Sequence, residues 1–199
     1  MLKLQLLALA LLPLSFMVEN SYAESSNTLI SLPSPGYALV KKAIFIKPVE
    51  ANKKLTFIVW LKLRNKAQLD QLVEEIYDPN SDNYQQYLTQ DVFEEKYAPT
   101  QEMERSVQEY FITQGMQAHI VNHSVKVTAS AQQIEQSLHT SLNYYLYDDY
   151  QVYASTSLPA LQPEIAQYVI DITGLNNIPL YHPDAVSIQS DEISLDYED

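Results

Sequence analysis

Residues 55–63 read Leu-Thr-Phe-Ile-Val-Trp-Leu-Lys-Leu, an alternation that puts Leu55, Phe57, Val59, Leu61 and Leu63 on one face of an extended segment. Ile58 and Trp60 give the opposite face a partly apolar character, so the pattern predicts a central strand covered on both sides. The period then changes. Leu69, Leu72, Val73 and Ile76 recur at i, i+3, i+4 and i+7, the buried stripe of a helix, with Asn65 as its cap and Gln68 placed to answer it. A second helix opens at Thr100, with Glu102 and Glu104 near its positive end. It buries Met103, Val107, Tyr110 and Phe111 and stops at Gly115. Ala118–Val121 and Ser124–Ala129 read as a hairpin around Asn122-His123. Ser130 and Gln133 form a capping box for a third helix that buries Ala131, Ile134 and Leu138.

Ser141–Tyr147 and Gln151–Ala154 read as strands around Asp148-Asp149-Tyr150, and Tyr168–Ile172 as the last strand. Ala38–Ile46 alternates loosely, as an edge strand or arm closed by Pro48 would. Strand, helix, helix, hairpin, helix, strands is an α+β order. It predicts a ferredoxin-like antiparallel sheet with helices packed on one face and an inserted helical loop. The expected division is a leader over 1–23, an extended Ser/Pro-rich lead-in over 24–48, the α+β domain over 49–176 and an acidic tail over 177–199. From Tyr181 onward the tail carries Asp184, Asp191, Glu192, Asp196, Glu198 and Asp199 with no Lys or Arg, and is expected to be disordered alone.

Composition narrows the function. Lys3, an apolar run from Leu4 to Val18 and the small residues Ser21 and Ala23 form a leader with cleavage expected after Ala23. The run is shorter than the roughly 20 residues a membrane span needs. The protein is therefore expected to be secreted or periplasmic, with no membrane attachment once the leader is removed. There is no Cys, hence no disulfide framework and no thiolate metal site. A net charge of −13 argues against nucleic acid and anionic lipid as partners. Three Gly leave no phosphate-cradling loop.

Catalytic chemistry is equally thin. His119, His123, His139 and His182 fall in no nucleophile or metal-ligand spacing and are expected to be surface or cap residues. Glu74-Glu75, Glu94-Glu95 and Asp148-Asp149 are adjacent in sequence, which on a helix turns them about 100° apart rather than toward a common substrate. No catalytic residue, cofactor or metal is expected. Tyr144, Tyr145, Tyr147, Tyr150 and Tyr153 cluster in one hairpin, either as cross-strand packing or as an aromatic contact surface for a partner.

The most distinctive stretch lies between the first two helices. It runs Asp78-Pro-Asn-Ser-Asp-Asn-Tyr-Gln-Gln-Tyr-Leu-Thr89, followed by Phe93 and Tyr97-Ala-Pro-Thr100. Asp-Pro ends a helix, Asn80 to Asn83 are turn formers, and Tyr84, Tyr87 and Leu88 would share one face of a short helical turn. That makes a packed loop, not a linker. Together with Leu61-Lys-Leu-Arg-Asn65 before it and Val107 and Gly115 after it, this order resembles the activation prodomain of the sedolisin peptidases. These are the kumamolisin-type serine-carboxyl peptidases, and the resemblance covers about residues 50–175. Asp82 stands where such prodomains usually carry a second proline, and Gln85 where Gly or His is common, which implies a less rigid loop. The Gly-Thr-Ser-type turn and carboxylate pair of the peptidase are missing from this sequence.

The resemblance implies an exported, non-catalytic binding module that acts in trans on a sedolisin-type peptidase as inhibitor or folding chaperone. On that reading Asp78, Ser81, Asp82, Tyr84 and Tyr87 in the loop, and Asp191 and Glu192 in the tail, are the candidate partner contacts. The alternatives are a secreted protein that has reused the prodomain fold to bind another protein or surface, and a remnant of a truncated precursor.

Overall fold

The computed structural model describes residues 28–34 and 36–178. The expected leader lies outside these residues, as do Asp191 and Glu192. In chain order the elements are β1 (Ile30–Ser31), α1 (Tyr37–Val40), β2 (Ile44–Pro48), β3 (Lys54–Leu61), α2 (Lys66–Tyr77), α3 (Gln90–Lys96) and α4 (Gln101–Thr113). They continue with β4 (Gln117–Val121), β5 (Ser124–Ser130), α5 (Ala131–Leu138), β6 (Leu142–Tyr147), β7 (Tyr150–Ser155), β8 (Ala160–Leu161), α6 (Pro163–Ala166) and β9 (Val169–Thr173).

The central sheet has the order β4-β5-β3-β9, antiparallel throughout. Counted along the chain that is second, third, first, fourth, the ferredoxin-like permutation of an α+β fold. Its two crossovers, β3 to β4 through α4 and β5 to β9 through α5, each join parallel strands. Right-handedness of such connections sets both helices on the same side of the sheet. Phe57, Val59, Val125, Val127 and Ile172 from the sheet meet Val107 and Phe111 of α4 and Ile134 and Leu138 of α5 in one core. Phe57 and Phe111 pack edge to face with ring centroids 5.5 Å apart, and each such buried side chain contributes about 1.5–3 kcal/mol.

The helix signals that depend on local chemistry are realised. Thr100 Oγ1 accepts from Met103 N at 3.2 Å, and the Ser130–Gln133 capping box is complete. Gly115 ends α4 at φ +77, a conformation that favours glycine. Asn122 and His123, at φ 45 and 58, close the β4–β5 hairpin, and Asp148 and Asp149, at φ 51 and 63, close the β6–β7 hairpin. Those values are the left-handed pair a two-residue turn requires.

Four expectations need correction. β3 is central by pairing, yet only one of its faces is covered, because both crossover helices take the same side; Trp60 is 42% exposed. Asn65 precedes α2 in a left-handed conformation (φ 47) and makes no cap bond. Its side chain donates instead to Lys96 O at 2.9 Å. The α2 stripe is mostly not core: only Ile76 is buried and Val73 is exposed, since α4 and α5 already fill the covered face of the sheet. The turn through Tyr84, Tyr87 and Leu88 is not helical, because Gln85 adopts φ 57 and breaks it. That is the position where glycine would be free of steric cost.

The β6–β7 hairpin is inserted between α5 and β9 and recruits β2 into a second sheet of order β2-β6-β7. Tyr145, Val152 and Ala154 of this sheet bury against Val40 and Ile178 in a second small core. β1 pairs with β8, and Leu32 beside it is buried in the main core. Within the tyrosine cluster Tyr144 and Tyr145 are buried, whereas Tyr150 is exposed.

Candidate docking surface

The uncovered face of the central sheet is built by the strand alternation that fills the core behind it. Register places Ile58 beside Lys126 and Thr173, Trp60 beside Ser124 and Asp171, and Thr56 beside Thr128. His119 continues the Ile58 row on β4. The Trp60 indole donates Nε1–H to Thr173 Oγ1 at 2.9 Å, which steadies the ring over β9. Thr56 and Thr128 link their hydroxyls at 2.9 Å. A register shift between Trp60 and Leu61 lets Ile170 emerge on the surface, 44% exposed. Pro33, Trp60, Leu61, Leu63, Ile170 and Asp171 line a shallow hollow of about 610 Å³ there. Partial burial pushes the Asp171 carboxyl up from its ordinary value, against the pull of the Ile172 amide. The surface thus has an apolar centre around Trp60 and Ile170, with the partly buried Asp171 carboxylate at its margin.

The residues singled out in the loop lie elsewhere, on the lobe formed by α2, α3 and their connection. Asp78 Oδ1 accepts from the Asn80 backbone N at 2.9 Å, and Ser81 Oγ from the Asn83 backbone N at 3.1 Å. Both side chains hold the turn in this state. Asp82 is exposed, Tyr84 is 41% exposed and Tyr87 69%, joined on the lobe by Tyr77 at 71%. Glu75 braces the turn by accepting from Asn83 and Gln71, bonds that hold its carboxyl below the usual range. The lobe is tied to the rest of the chain through Arg64, which donates to the carbonyls of Glu94 and Ala98.

One grouping is not foreshadowed by sequence spacing. His123, in the β4–β5 turn, donates from Nε2 to Glu94 Oε2 at 2.9 Å and from Nδ1 to Glu104 Oε1 at 2.8 Å. With a carboxylate at each ring nitrogen, the doubly protonated imidazolium is the form that satisfies both. The Glu94 bond first and the Glu104 bond second raise its pKa, against a smaller loss from burial. The trio ties α3, α4 and the hairpin together and includes no nucleophile. Among the described residues no group of His, Asp and Glu is arranged to hold a metal ion, and no helix is long and apolar enough to cross a membrane.

The family model for the pro-kumamolisin activation domain matches residues 41–178. Sedolisin from Pseudomonas sp. (strain 101) is 25% identical over 153 residues, covering 75% of this chain and 26% of sedolisin. The chain therefore spans about a quarter of the length of that curated relative.

Proposed function

Since the chain belongs to the pro-kumamolisin activation domain family, we propose that it is an exported, non-catalytic module that binds a sedolisin-type serine-carboxyl peptidase as inhibitor, folding chaperone or both. The observation that carries the reading is the uncovered sheet face. A four-stranded sheet with Ile58, Trp60 and Ile170 turned outward leaves apolar area that a partner's surface would remove from water. The exposed tyrosines of the α2–α3 lobe, Tyr84 and Tyr87 with Asp82, offer a second contact of the polar-aromatic kind found at interface rims.

Charge sets the expected pH response. Carboxylates that meet Lys or Arg on the peptidase would have pKa values depressed in the complex. Such groups favour the bound state above their free pKa, near 4, and the advantage fades as pH falls through the bound value. Binding is thus stronger near neutrality and weaker in acid.

The test is inhibition of a sedolisin-type peptidase from the same genome by this chain, at about pH 7, where exposed carboxylates are ionised, and at about pH 3, below their ordinary values. The double variant Ile58→Ser, Trp60→Ser should bind at least about 30-fold more weakly, the loss of a hot spot of roughly 2 kcal/mol. Unchanged thermal stability of that variant would show that the fold survived. Inhibition absent at both pH values would turn the reading toward a reused fold, and an unaffected double variant would move the contact off the sheet.

A further inference from the structure

The hollow beside Trp60 is made by an irregularity of β9. Trp60 pairs with Asp171 and Leu61 with Val169, so Ile170 is an extra residue on that strand, a β-bulge. A regular strand would turn Ile170 and Asp171 to opposite faces. Here Val169 and Ile172 enter the core, while Ile170 and Asp171 between them both line the hollow. The bulge therefore sets a carboxylate next to an indole on the neighbouring strand, where paired side chains stand about 4.5–5.5 Å apart at Cβ. The bond from Trp60 Nε1 to Thr173 Oγ1 holds the ring toward β9.

The carboxylate has little to satisfy it. Its one hydrogen bond among the described residues comes from the adjoining Ile172 amide at 2.6 Å, and it belongs to none of the ion pairs among those residues. Lys62, between Leu61 and Leu63, directs its ammonium to Ala166 O. Lys126 stands beside Ile58, one row along the sheet from Trp60. Burial raises the Asp171 pKa, and only the Ile172 amide pulls the other way. An acid lodged against apolar walls without a counter-charge is a half-made contact.

We propose that this hollow receives an arginine side chain of the protein partner, its guanidinium stacked on Trp60 and bonded to Asp171. This assignment rests on the docking reading of the sheet face and names what the partner presents there. A guanidinium is planar and weakly hydrated, so its face stacks on an indole while its edge donates to a carboxylate. Its methylene stem lies along Leu61, Leu63, Ile170 and Pro33. A lysine ammonium is a strongly hydrated point charge with no face to stack. An aliphatic side chain would seal the carboxylate from water and leave it unpaired, the costly arrangement. The net charge of −13 acts in the same sense, steering basic surfaces toward the chain.

Trp60 is the chain's one tryptophan, so its fluorescence reads the site directly. The probes are acetyl-Leu-Arg-Leu-amide and the same peptide with citrulline, a neutral near-isostere of arginine, titrated at about pH 7, above the carboxylate range. The arginine peptide should change the emission saturably and bind at least about tenfold more tightly than the citrulline peptide, a difference of about 1.4 kcal/mol. Asp171→Asn keeps an oxygen for the Ile172 amide and removes the charge, so it should erase that preference. Equal affinity of the native chain for both peptides, no saturable change with either, or a preference that survives Asp171→Asn overturns the proposal. Peptidase inhibition measured in parallel separates the two readings. Inhibition that depends on Ile58 and Trp60 without any arginine preference leaves docking standing and removes the arginine site. An arginine preference without peptidase inhibition keeps the site and removes the peptidase as its partner.

Discussion

At the scale of single residues, His123 shows how position changes what a side chain does. In sequence it is the second residue of a tight turn; in the structure it bridges Glu94 and Glu104 from a left-handed backbone conformation at φ 58. Because its folded pKa is raised above the ordinary value near 6.5, the stability it contributes is complete below that value. It is lost as pH rises through the folded pKa. His123→Asn keeps a residue tolerant of the left-handed turn and removes the double bridge. The variant should be less stable than the native chain by about 1 kcal/mol near pH 5.5, the upper end for partly exposed pairs, and the gap should close as pH rises through the raised folded pKa. Chemical denaturation across that range checks it, and a pH-independent gap would show that the ring acts only by packing. No spacing rule joins positions 94, 104 and 123, so this trio was not legible from the sequence. The turn that carries it was, since Asn122-His123 between two alternating runs has few other readings.

At the scale of elements, local signals and burial part company. Capping at Thr100 and Ser130, the stop at Gly115 and both hairpins follow from chemistry within four residues, and all are realised. The helical stripes could not tell which helix would reach the sheet. Met103, Val107, Tyr110, Phe111 and Leu69, Leu72, Val73, Ile76 have the same periodicity, yet Phe111 is fully buried and Val73 is 45% exposed. Crossover handedness does not separate them, since α2 and α4 lie in the same β3–β4 connection; α4, which leads directly into β4, shares the covered face with α5 and leaves α2 no room there. The same reasoning reverses the expectation for the loop: Tyr87 anchors nothing in the core. Tyr87→Ala should change stability by no more than about 0.5 kcal/mol, as at other exposed sites. Phe111→Ala should cost about 3–5 kcal/mol through the cavity it leaves beside Phe57. Paired urea titrations decide this, and a large loss at Tyr87 would mean that the loop packs on a neighbour in solution. The uncovered face of β3 was half legible: Ile58 and Trp60 were visible as apolar. Whether apolar meant covered or available depended on topology.

At the scale of the whole molecule, the question is whether two sheets and a helical lobe behave as one unit. The second sheet is an insertion, with a small core of its own around Tyr145 and Val152. Its root, however, belongs to the main core. Leu142 and Tyr144 are buried there, and the Leu142 amide donates to Glu135 Oε1 on α5 at 2.6 Å. Tyr144 receives a hydrogen bond from Lys53 Nζ at 2.6 Å and donates to Glu50 Oε2 at 3.2 Å, joining the stem of β6 to the segment that leads into β3. Lys47 completes the junction by holding the Glu50 carboxyl down at about 2. From the other side Tyr153 donates to Gly174 O at 3.3 Å. Gly174 itself fits only without a Cβ, which would lie 2.8 Å from Thr56 O on the central sheet. With buried side chains and polar bonds shared across the boundary, neither sheet can lose its order without exposing part of the other's core, the condition for a single cooperative transition. Trp60, the chain's one tryptophan, reports on the central sheet, while far-ultraviolet dichroism averages over all elements. Urea unfolding followed by the two signals should therefore give coincident curves. A Trp60 transition displaced from the dichroism curve would show that the inserted sheet or the α2–α3 lobe unfolds separately, and that the docking face can persist without it.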